Sequence, residues 1–338
     1  TQTVLADAQR KIGVVLPLTG TLANVGSSLR RMVELADQQR DDGKIAEFIF
    51  EDDAFLAKNT VAAVTKLVEQ DKVLGVIVFG SGTSAAVSLL LERKKIPAIT
   101  IAMSEDVVRN REFIFRHYLP LSAQSNAIAA EVDRRNYHRI AVIATQQEAM
   151  LRFRDVFRQR FVNRIVLDEQ VLPGEVDFSA LVTRLRRANP EAVYLLLMPP
   201  ELSVLPRRLR EAKLEAEFFG SAQLQNPAVL AAANGALDGV WFTGVDDRRA
   251  QPLFREYQRE FGELPVPDAV HAYEAALLFI AALRNVPDDV RSYLANPSGF
   301  RGALGEYGIV PPNTYEVGAV LKQITPQGFV YLRQAALE

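Results

Sequence analysis

The sequence predicts an α/β protein with two lobes, each built on a parallel sheet that helices cover on both faces. From Lys11 onward, short apolar runs of strand length alternate with segments of helical spacing, and repeated units of this kind are typical of parallel sheets. The alternation restarts after residues 116–121. The chain has 338 residues, about twice the usual length of one domain, which also favours two lobes.

The predicted elements follow the chain in three groups. In the first group, strands are expected at residues 11–16, 47–53, 74–79 and 97–101, with helices at 22–41, 59–69 and 83–93. In the second, strands are expected at 139–144, 165–171, 192–197, 218–220 and 239–243, with helices from 122 and at 148–161, 177–187 and 202–212. In the last, helices are expected at 252–261 and 269–283, and strands at 315–324 and 329–332. We therefore expect the chain to return to the first lobe after about residue 247.

Composition and charge exclude several classes of protein. Hydrophobic residues make up 49% and charged residues 24%, which suits two globular cores and argues against disorder. The net charge of −2 gives no reason to expect a nucleic-acid partner. The absence of cysteine excludes disulfides, thiolate metal sites and a cysteine nucleophile. No apolar run approaches the roughly 18 residues that cross a bilayer, so the chain is not expected to span a membrane.

The motifs of common enzymes are missing. The turn after the first strand, residues 17–26 (PLTGTLANVG), lacks the GxGxxG spacing, and neither GxxxxGK[ST] nor GxSxG occurs. The three histidines are scattered and are interpreted as surface or packing residues. The carboxylates of Glu51, Asp52 and Asp53 either bind a metal or cap the next turn, and capping is favoured because no second acidic cluster completes a site. We expect no catalytic residues, no metal and no cofactor.

One loop is more informative. Residues 79–84 (FGSGTS) lie between a strand and a helix start. Glycine allows close approach of the backbone, and the helix N-terminus favours an anion. In a parallel sheet such a loop lies at the carboxyl end of the strands, where ligands bind. An anion-binding loop and a plain N-cap with a tight turn both fit the local sequence.

Several segments, in order and spacing, resemble the leucine/isoleucine/valine-binding-protein family, the type I periplasmic solute-binding proteins of ABC transporters. The resemblance covers nearly the whole chain. The segments are residues 12–26 (IGVVLPLTGTLANVG), 51–53 (EDD), 61–84 (VAAVTKLVEQDKVLGVIVFGSGTS), 96–104 (IPAITIAMS), 139–144 (RIAVIA), 177–185 (DFSALVTRL) and 271–279 (HAYEAALLF).

The resemblance implies the type I periplasmic binding fold, with two Rossmann-like lobes joined by three crossover strands. The crossovers are expected near residues 118–121, 246–250 and 318–323. Lobe 1 is then residues 11–120 plus 250–320, and lobe 2 is residues 121–249 plus 321–338. In this family the ligand binds between the lobes, which close over it by hinge bending.

The resemblance also implies ligand contacts in the first lobe. Ser81 takes the place of the serine that binds the ligand carboxylate, and Gly82 and Thr83 share its loop. The Ala102 carbonyl and the Ser104 hydroxyl take the places that bind the α-ammonium and carboxylate groups of the ligand. Charge-assisted hydrogen bonds to a carboxylate are short and strong.

The remaining implied contacts depart from the family pattern. Val25 lies where an aromatic side chain commonly covers the ligand. In the second lobe, Gln146 and Ala149 occupy the loop that often carries a tyrosine, and Met198 replaces another aromatic. Gln223 follows the strand after which an acidic residue often pairs with the ligand ammonium.

The ligand class therefore stays open between an amino acid and a related organic acid that has no ammonium group. An unpaired ammonium group in a closed cleft costs about 1–3 kcal/mol or more. If the alignment through these loops shifts by a few residues, Glu148 or Glu201 supplies the missing negative charge.

These implications predict a periplasmic or extracellular solute-binding protein of an ABC importer, with its signal peptide removed and an ABC permease of the inner membrane as its partner. The alternative is a ligand-sensing or contact-regulatory domain of the same fold that acts on an envelope partner. The effector domain of a transcription regulator would need a helix-turn-helix for DNA. An enzyme is the least favoured interpretation.

Overall fold

The computed structural model describes residues 10–38, 45–306 and 308–334. Within them the chain forms two compact units. The first unit draws on the described residues within 1–118 and 247–317, and the second on those within 119–246 and 318–338. The chain therefore passes from one unit to the other three times.

Strands and helices alternate along most of the described chain. The strands are β1 (Lys11–Leu16), β2 (Glu47–Asp52), β3 (Gly75–Phe79), β4 (Ala98–Ile101), β5 (Ile114–Arg116), β6 (Ile140–Thr145), β7 (Ile165–Val171), β8 (Ala192–Leu196), β9 (Glu217–Gly220), β10 (Trp241–Val245), β11 (Arg301–Gly302), β12 (Gly305–Glu306), β13 (Ile309–Val310), β14 (Thr314–Tyr315), β15 (Ala319–Thr325) and β16 (Gly328–Gln334). The helices are α1 (Ala23–Gln38), α2 (Ala57–Lys66), α3 (Ser81–Lys94), α4 (Leu121–Arg134), α5 (Glu148–Phe161), α6 (Ser179–Ala188), α7 (Glu201–Glu211), α8 (Pro227–Ala233), α9 (Gln251–Phe261), α10 (Ala269–Asn285) and α11 (Val290–Ala295).

The first unit contains a seven-stranded sheet in the order β13-β14-β5-β4-β3-β1-β2. Strands β1 to β5 run parallel, β14 pairs in parallel with β5, and β13 pairs antiparallel with β14. The strand order reverses direction between β1 and β3. In open α/β sheets, ligands bind at such a switch point, beyond the carboxyl ends of the strands.

The second unit repeats this arrangement in the order β16-β15-β10-β9-β8-β6-β7. Strands β6 to β10 run parallel, whereas β15 pairs antiparallel with β10 and β16 antiparallel with β15. Its order reverses between β6 and β8, so this unit also has a switch point. A separate two-stranded ribbon joins β11 and β12.

The predicted fold class is confirmed, with two refinements. Both sheets are mainly parallel but mixed, because late strands add to their edges in antiparallel pairs. The single strand predicted at residues 315–324 was wrong, because β14 belongs to the first sheet and β15 to the second. The apolar pattern runs through both strands because Tyr315 and Val320 are each fully buried, one in each unit.

The helix predicted at residues 22–41 begins one residue later, at Ala23, after a short 3₁₀ turn at Gly20–Leu22. Its described part ends at Gln38, and residues 39–41 lie outside the described residues. The short strand β5 was not predicted, since three residues are too few to show a period.

The inner strands are buried along their length, which is typical of parallel strands covered on both faces. Every residue of β3, β4, β6 and β8 is buried. In the second unit, Tyr194, Phe219 and Trp241 stack on three neighbouring strands with ring centroids 4.6 Å apart. Among the described residues, no helix combines the length and apolar character that crossing a membrane requires.

A buried polar cluster follows β5 in the first unit. The Nδ1 atoms of His117 and His271 lie 2.9 Å apart, and the Tyr118 hydroxyl donates to Asp268 Oδ1 at 2.9 Å. Burial lowers the pKa of His271 to about 3. Burial, followed by the proximity of His271, also lowers the pKa of His117 well below its ordinary value. Both rings are therefore neutral near pH 7, and one ring donates its N–H to the other.

This pair makes folding stability depend on pH. The unfolded chain protonates both histidines below about pH 6.5, whereas the folded chain does not. The contribution of the pair to the free energy of unfolding is therefore fully present above pH 6.5. It is lost as the pH falls toward 3, by at most about 1.4 kcal/mol per pH unit for each histidine. We expect His271→Gln to reduce the slope of unfolding free energy against pH between 6 and 4. Urea denaturation followed by circular dichroism measures this slope.

His138 provides the matched control, because it is exposed and lies in the second unit. His138→Gln is expected to keep the wild-type slope. Equal slopes for wild type and His271→Gln would contradict a neutral buried pair.

Candidate functional site

Asp52 organises the loop that follows β1. Its Oδ1 accepts hydrogen bonds from the backbone N–H groups of Leu18 at 2.8 Å and Thr19 at 3.1 Å, and its Oδ2 accepts the Thr19 hydroxyl at 2.5 Å. Burial acts to raise the pKa of Asp52, but these hydrogen bonds and one from the Ala54 N–H outweigh it and hold the pKa below its ordinary value. A charged carboxylate thus fixes this loop at the switch point.

Val25 lies in the first turn of α1 and is half-buried. The next residue, Gly26, lets the helix pack directly on the loop, since a Cβ atom there would lie 2.0 Å from the Pro17 carbonyl oxygen. The position of Val25 is therefore set by close backbone packing behind it.

The carboxylates of the acidic cluster at the end of β2 already bind other groups of the protein. Asp53 is fully buried and accepts the Phe55 N–H at 2.8 Å and the Thr60 hydroxyl at 2.9 Å, while Glu51 pairs with Lys66 at 2.5 Å. Across the described residues, no group of three or more His, Asp or Glu side chains is arranged to hold a metal ion. The carboxylates thus shape the loops around the switch point.

The turn between β3 and α3 requires glycine at its first position. Gly80 has a φ of +96°, and a Cβ atom there would lie 2.5 Å from Phe55 Cε2. Thr83 is buried, and its hydroxyl donates to the carbonyl oxygen of Phe79 within the same turn. Gly82 is exposed, and a Cβ atom at this position would have no neighbouring atom within 4 Å. Thr83 therefore stabilises the turn, and Gly82 borders open space.

Ser81 and Ser104 meet across the ends of β3 and β4. The Ser104 N–H donates to Ser81 Oγ at 3.1 Å, and the Asp106 N–H lies 3.4 Å from Ser104 Oγ. Both serines are half-buried. Each hydroxyl keeps its proton available for a further acceptor, and Ser81 is the first residue of α3, whose N-terminus carries a partial positive charge. The arrangement suits an anionic group with oxygen acceptors.

Behind these serines, the Ala102 carbonyl is bound to a buried guanidinium group. Arg116 Nη1 donates to this oxygen at 3.1 Å, and Arg116 Nε donates to Thr314 Oγ1 at 3.3 Å. The Arg116 side chain has no exposed area, and its Nη2 lies 3.7 Å from Glu105 Oε1. Burial lowers the pKa of Arg116 to about 10, which leaves the side chain charged at pH 7.

Arg116 was not among the residues predicted from sequence. The signal for it is weak: a single arginine directly follows the apolar pair Ile114 and Phe115 at the end of a strand of three residues. Only the pairing of β5 with β4 brings its side chain to the Ala102 carbonyl.

In the second unit, a hydrogen bond from a backbone N–H to a threonine side chain joins the ends of β6 and β8. The Met198 N–H donates to Thr145 Oγ1 at 3.1 Å, and Met198 is half-buried. Gln223 is half-buried in the 3₁₀ turn Ala222–Gln225, directly after β9. Met198 thus lies at the switch point of this unit, and Gln223 lies one strand further along the same edge.

The loop after β6 carries the other predicted residues of this unit. Gln146 is exposed, and Ala149 is half-buried in the first turn of α5. The Ala149 N–H donates to Gln147 Oε1 at 3.0 Å, which caps the helix. Glu148 is exposed and pairs with Arg152 at 3.2 Å. The methyl side chain of Ala149 is too short to cover a ligand.

Glu201 differs from Glu148 because it is fully buried at the start of α7. Its Oε1 accepts the Gly174 N–H at 2.5 Å, and its Oε2 is buried with no hydrogen-bond partner. Among the described residues, no hydrogen bond joins Val25, Gly82 or Gln223 to another predicted site residue.

Comparison with known proteins places the chain in a family. A family model described as periplasmic binding protein matches residues 9–314. The Leu/Ile/Val-binding protein homolog 3 of Brucella melitensis biotype 1 is 28% identical over 264 residues, which are 74% of this chain and 71% of that protein.

Two solved structures have the same fold at low sequence identity. A solute-binding protein of an ABC transporter from R. palustris, in complex with benzoate, has a TM-score of 0.83 and 20% identity over 97% of this chain and 96% of its own. The branched-chain amino acid transporter substrate-binding protein LivJ from Streptococcus pneumoniae, in complex with isoleucine, has a TM-score of 0.85 and 19% identity over 96% of this chain and 98% of its own. The relatives compared above are solute-binding proteins rather than enzymes. Together with the family match, these findings show that this chain belongs to the periplasmic binding protein family.

Proposed function

We propose that this chain is the solute-binding component of an ABC importer and captures a small carboxylate-bearing molecule, an amino acid or a related organic acid. The observation that carries this proposal is the contact between Ser81 Oγ and the Ser104 N–H at the N-terminus of α3. It holds two hydroxyl groups beside a helix N-terminus at the carboxyl ends of β3 and β4, next to the switch point of the first sheet. Isoleucine and benzoate, the ligands of the two structural neighbours, both carry a carboxylate.

The ligand carboxylate binds the first unit in this proposal. The hydroxyl groups of Ser81 and Ser104 donate to its oxygens, and the positive end of α3 stabilises its charge. Val25 and the exposed backbone at Gly82 border the same site. Hydrogen bonds to an ionised acceptor contribute about 1.5–3 kcal/mol each, more than those between neutral groups.

The second unit supplies the other face of the ligand. Met198, beside the ends of β6 and β8, offers an apolar contact, and Gln223 offers an amide. Gln146 and Ala149 border the loop after β6. Because the ligand contacts both units, it stabilises the closed form over the open form and shifts the population toward closure.

Hinge bending takes place where the chain passes between the units, at residues 118–119, 246–247 and 317–318. A few residues at such points absorb the change in backbone angles. The closed, loaded form is recognised by an ABC permease in the inner membrane, and the protein acts in the periplasm or outside the cell.

A thermal-shift screen tests solute capture. Amino acids, aliphatic and aromatic carboxylates, small amides and sugars are each added in excess, and binding to the native state raises the midpoint by mass action. We expect shifts with carboxylates and none with sugars. Small-angle scattering with a shifting compound is expected to give a smaller radius of gyration. No shift with any compound would contradict the proposal and favour a domain that regulates an envelope partner by contact.

Ser81→Ala tests the carboxylate contact. Removing the hydroxyl leaves one carboxylate oxygen and the Ser104 N–H without this partner, so we expect binding to weaken by about 1–3 kcal/mol. Titration calorimetry with the tightest carboxylate from the screen measures the change.

Ser88→Ala is the matched control on the same helix. The Ser88 hydroxyl donates to the Ser84 carbonyl at 2.7 Å within α3, so its loss is expected to leave affinity unchanged. If Ser81→Ala binds the carboxylate as tightly as the wild type does, Ser81 is not part of the binding site.

A further inference from the structure

Phe55 is an aromatic side chain that the first unit leaves partly exposed at the carboxyl end of its sheet. It lies in the loop after β2, and 39% of the residue is exposed. Among the described residues, no other phenylalanine, tyrosine or tryptophan is as exposed. An exposed ring forgoes the stabilisation that burial gives, which favours a role for this ring outside the core.

The backbone that carries this ring is strained. Ala54 and Phe55 have φ angles of +48° and +60°, a region that residues other than glycine rarely adopt. Two carboxylates hold them there, because Asp52 Oδ1 accepts the Ala54 N–H at 2.9 Å and Asp53 Oδ1 accepts the Phe55 N–H at 2.8 Å. Strain of this kind persists only where surrounding contacts impose it, and it is concentrated at functional sites.

Residues 54 and 55 reach from the loop after β1 to the turn after β3. The Ala54 carbonyl oxygen lies beside Gly20, where a Cβ atom would be 3.7 Å from it. The Phe55 ring lies beside Gly80, where a Cβ atom would be 2.5 Å from Phe55 Cε2. Because the strand order reverses between β1 and β3, the ring lies at the place where open α/β sheets bind ligands.

The ring also borders the carboxylate site. Gly80 directly precedes Ser81, whose Oγ accepts the Ser104 N–H. On its inner side the ring packs against the buried Phe79, with ring centroids 6.0 Å apart and planes inclined at 42°. One side of Phe55 is therefore fixed by the protein, and its exposed side is available to a molecule held at the two serines.

The residues predicted to contact the ligand supply no aromatic side chain of their own. In the first unit, Val25 is the largest apolar side chain among them, and the others are serine, threonine, glycine and alanine. Phe55 comes from a different loop and gives this site an aromatic surface.

We propose that Phe55 is a specificity-determining contact that packs against the body of the bound acid, so that the site favours carboxylates bearing an aromatic ring. The inference rests on the proposed function, because it concerns the same site. The hydroxyl groups of Ser81 and Ser104 hold the carboxylate, and the ring attached to it lies against Phe55. Pairs of aromatic rings in offset or edge-to-face geometry gain more than their buried area alone gives.

Three variants separate the aromatic contact from the packing of the loop. Phe55→Ala removes the ring, and Phe55→Leu keeps an apolar side chain without aromatic character. Leu56→Ala is the matched control, because Leu56 is the next residue of the same loop and is 57% exposed. Thermal unfolding of each variant without ligand shows whether it is folded.

Titration calorimetry compares benzoate with cyclohexanecarboxylate, which has a saturated ring of similar size. We expect Phe55→Ala to weaken benzoate binding by about ten-fold, because an apolar and aromatic contact is lost. Phe55→Leu is expected to weaken benzoate binding by about three- to ten-fold but cyclohexanecarboxylate binding by less than about two-fold. Leu56→Ala is expected to bind both acids as the wild type does.

Fluorescence reports the position of the ring rather than affinity. Phe55→Trp places an indole at the proposed contact, and Leu56→Trp places one beside it. The one natural tryptophan, Trp241, is buried in the second unit. Because iodine quenches indole emission on contact, we expect 3-iodobenzoate to quench Phe55→Trp more strongly than the wild type or Leu56→Trp.

Benzoate affinity that Phe55→Ala leaves unchanged, or lowers no more than Leu56→Ala does, would overturn the proposal. Equal losses for benzoate and cyclohexanecarboxylate in Phe55→Leu would also overturn it. If Phe55→Ala does not fold, Phe55→Leu and the quenching experiment decide. If the wild type binds another solute in the screen but not benzoate, this proposal fails while solute capture stands. If nothing binds, both fail.

Discussion

The hydrogen bonds that hold residues 102–104 are the constraint on which the candidate site depends. Arg116 fixes the carbonyl at one end of the segment, and Ser81 fixes the N–H near the other. These contacts exist only because β5, β4 and β3 are neighbours in the first sheet. In the second unit, a similar contact between the ends of neighbouring strands involves neutral groups only. There, the Met198 N–H donates to the hydroxyl of Thr145.

Most of the fold follows from the sequence because buried parallel strands and amphipathic helices leave clear patterns. Runs such as β3 and β6, buried at every residue, indicate strands through their short length as well as their apolar character. The pattern fails where a strand is too short to show a period, or where apolar residues continue from one strand into the next. Strand β5 has three residues, which are too few to show a period. The apolar pattern continues from β14 into β15, although these strands belong to different sheets.

The site is less predictable, because sequence reveals which residues follow a strand but not what their polar atoms already bind. Ser81 and Ser104 were expected together, and a hydrogen bond joins them. Thr83 was predicted to share the ligand-binding loop, and its hydroxyl donates to the carbonyl oxygen of Phe79 within its own turn. The Ala102 carbonyl was expected to face a ligand ammonium, and it accepts from Arg116, a long-range partner that no local pattern signals. The ligand contacts themselves stay predictions.

A crystal structure of the complex with the tightest-binding carboxylate from the screen tests the central claim most directly. We expect a carboxylate oxygen within hydrogen-bonding distance, about 2.5–3.2 Å, of Ser81 Oγ and Ser104 Oγ at the N-terminus of α3. A carboxylate held by residues of the second unit, with both serine hydroxyls free of ligand, would contradict it.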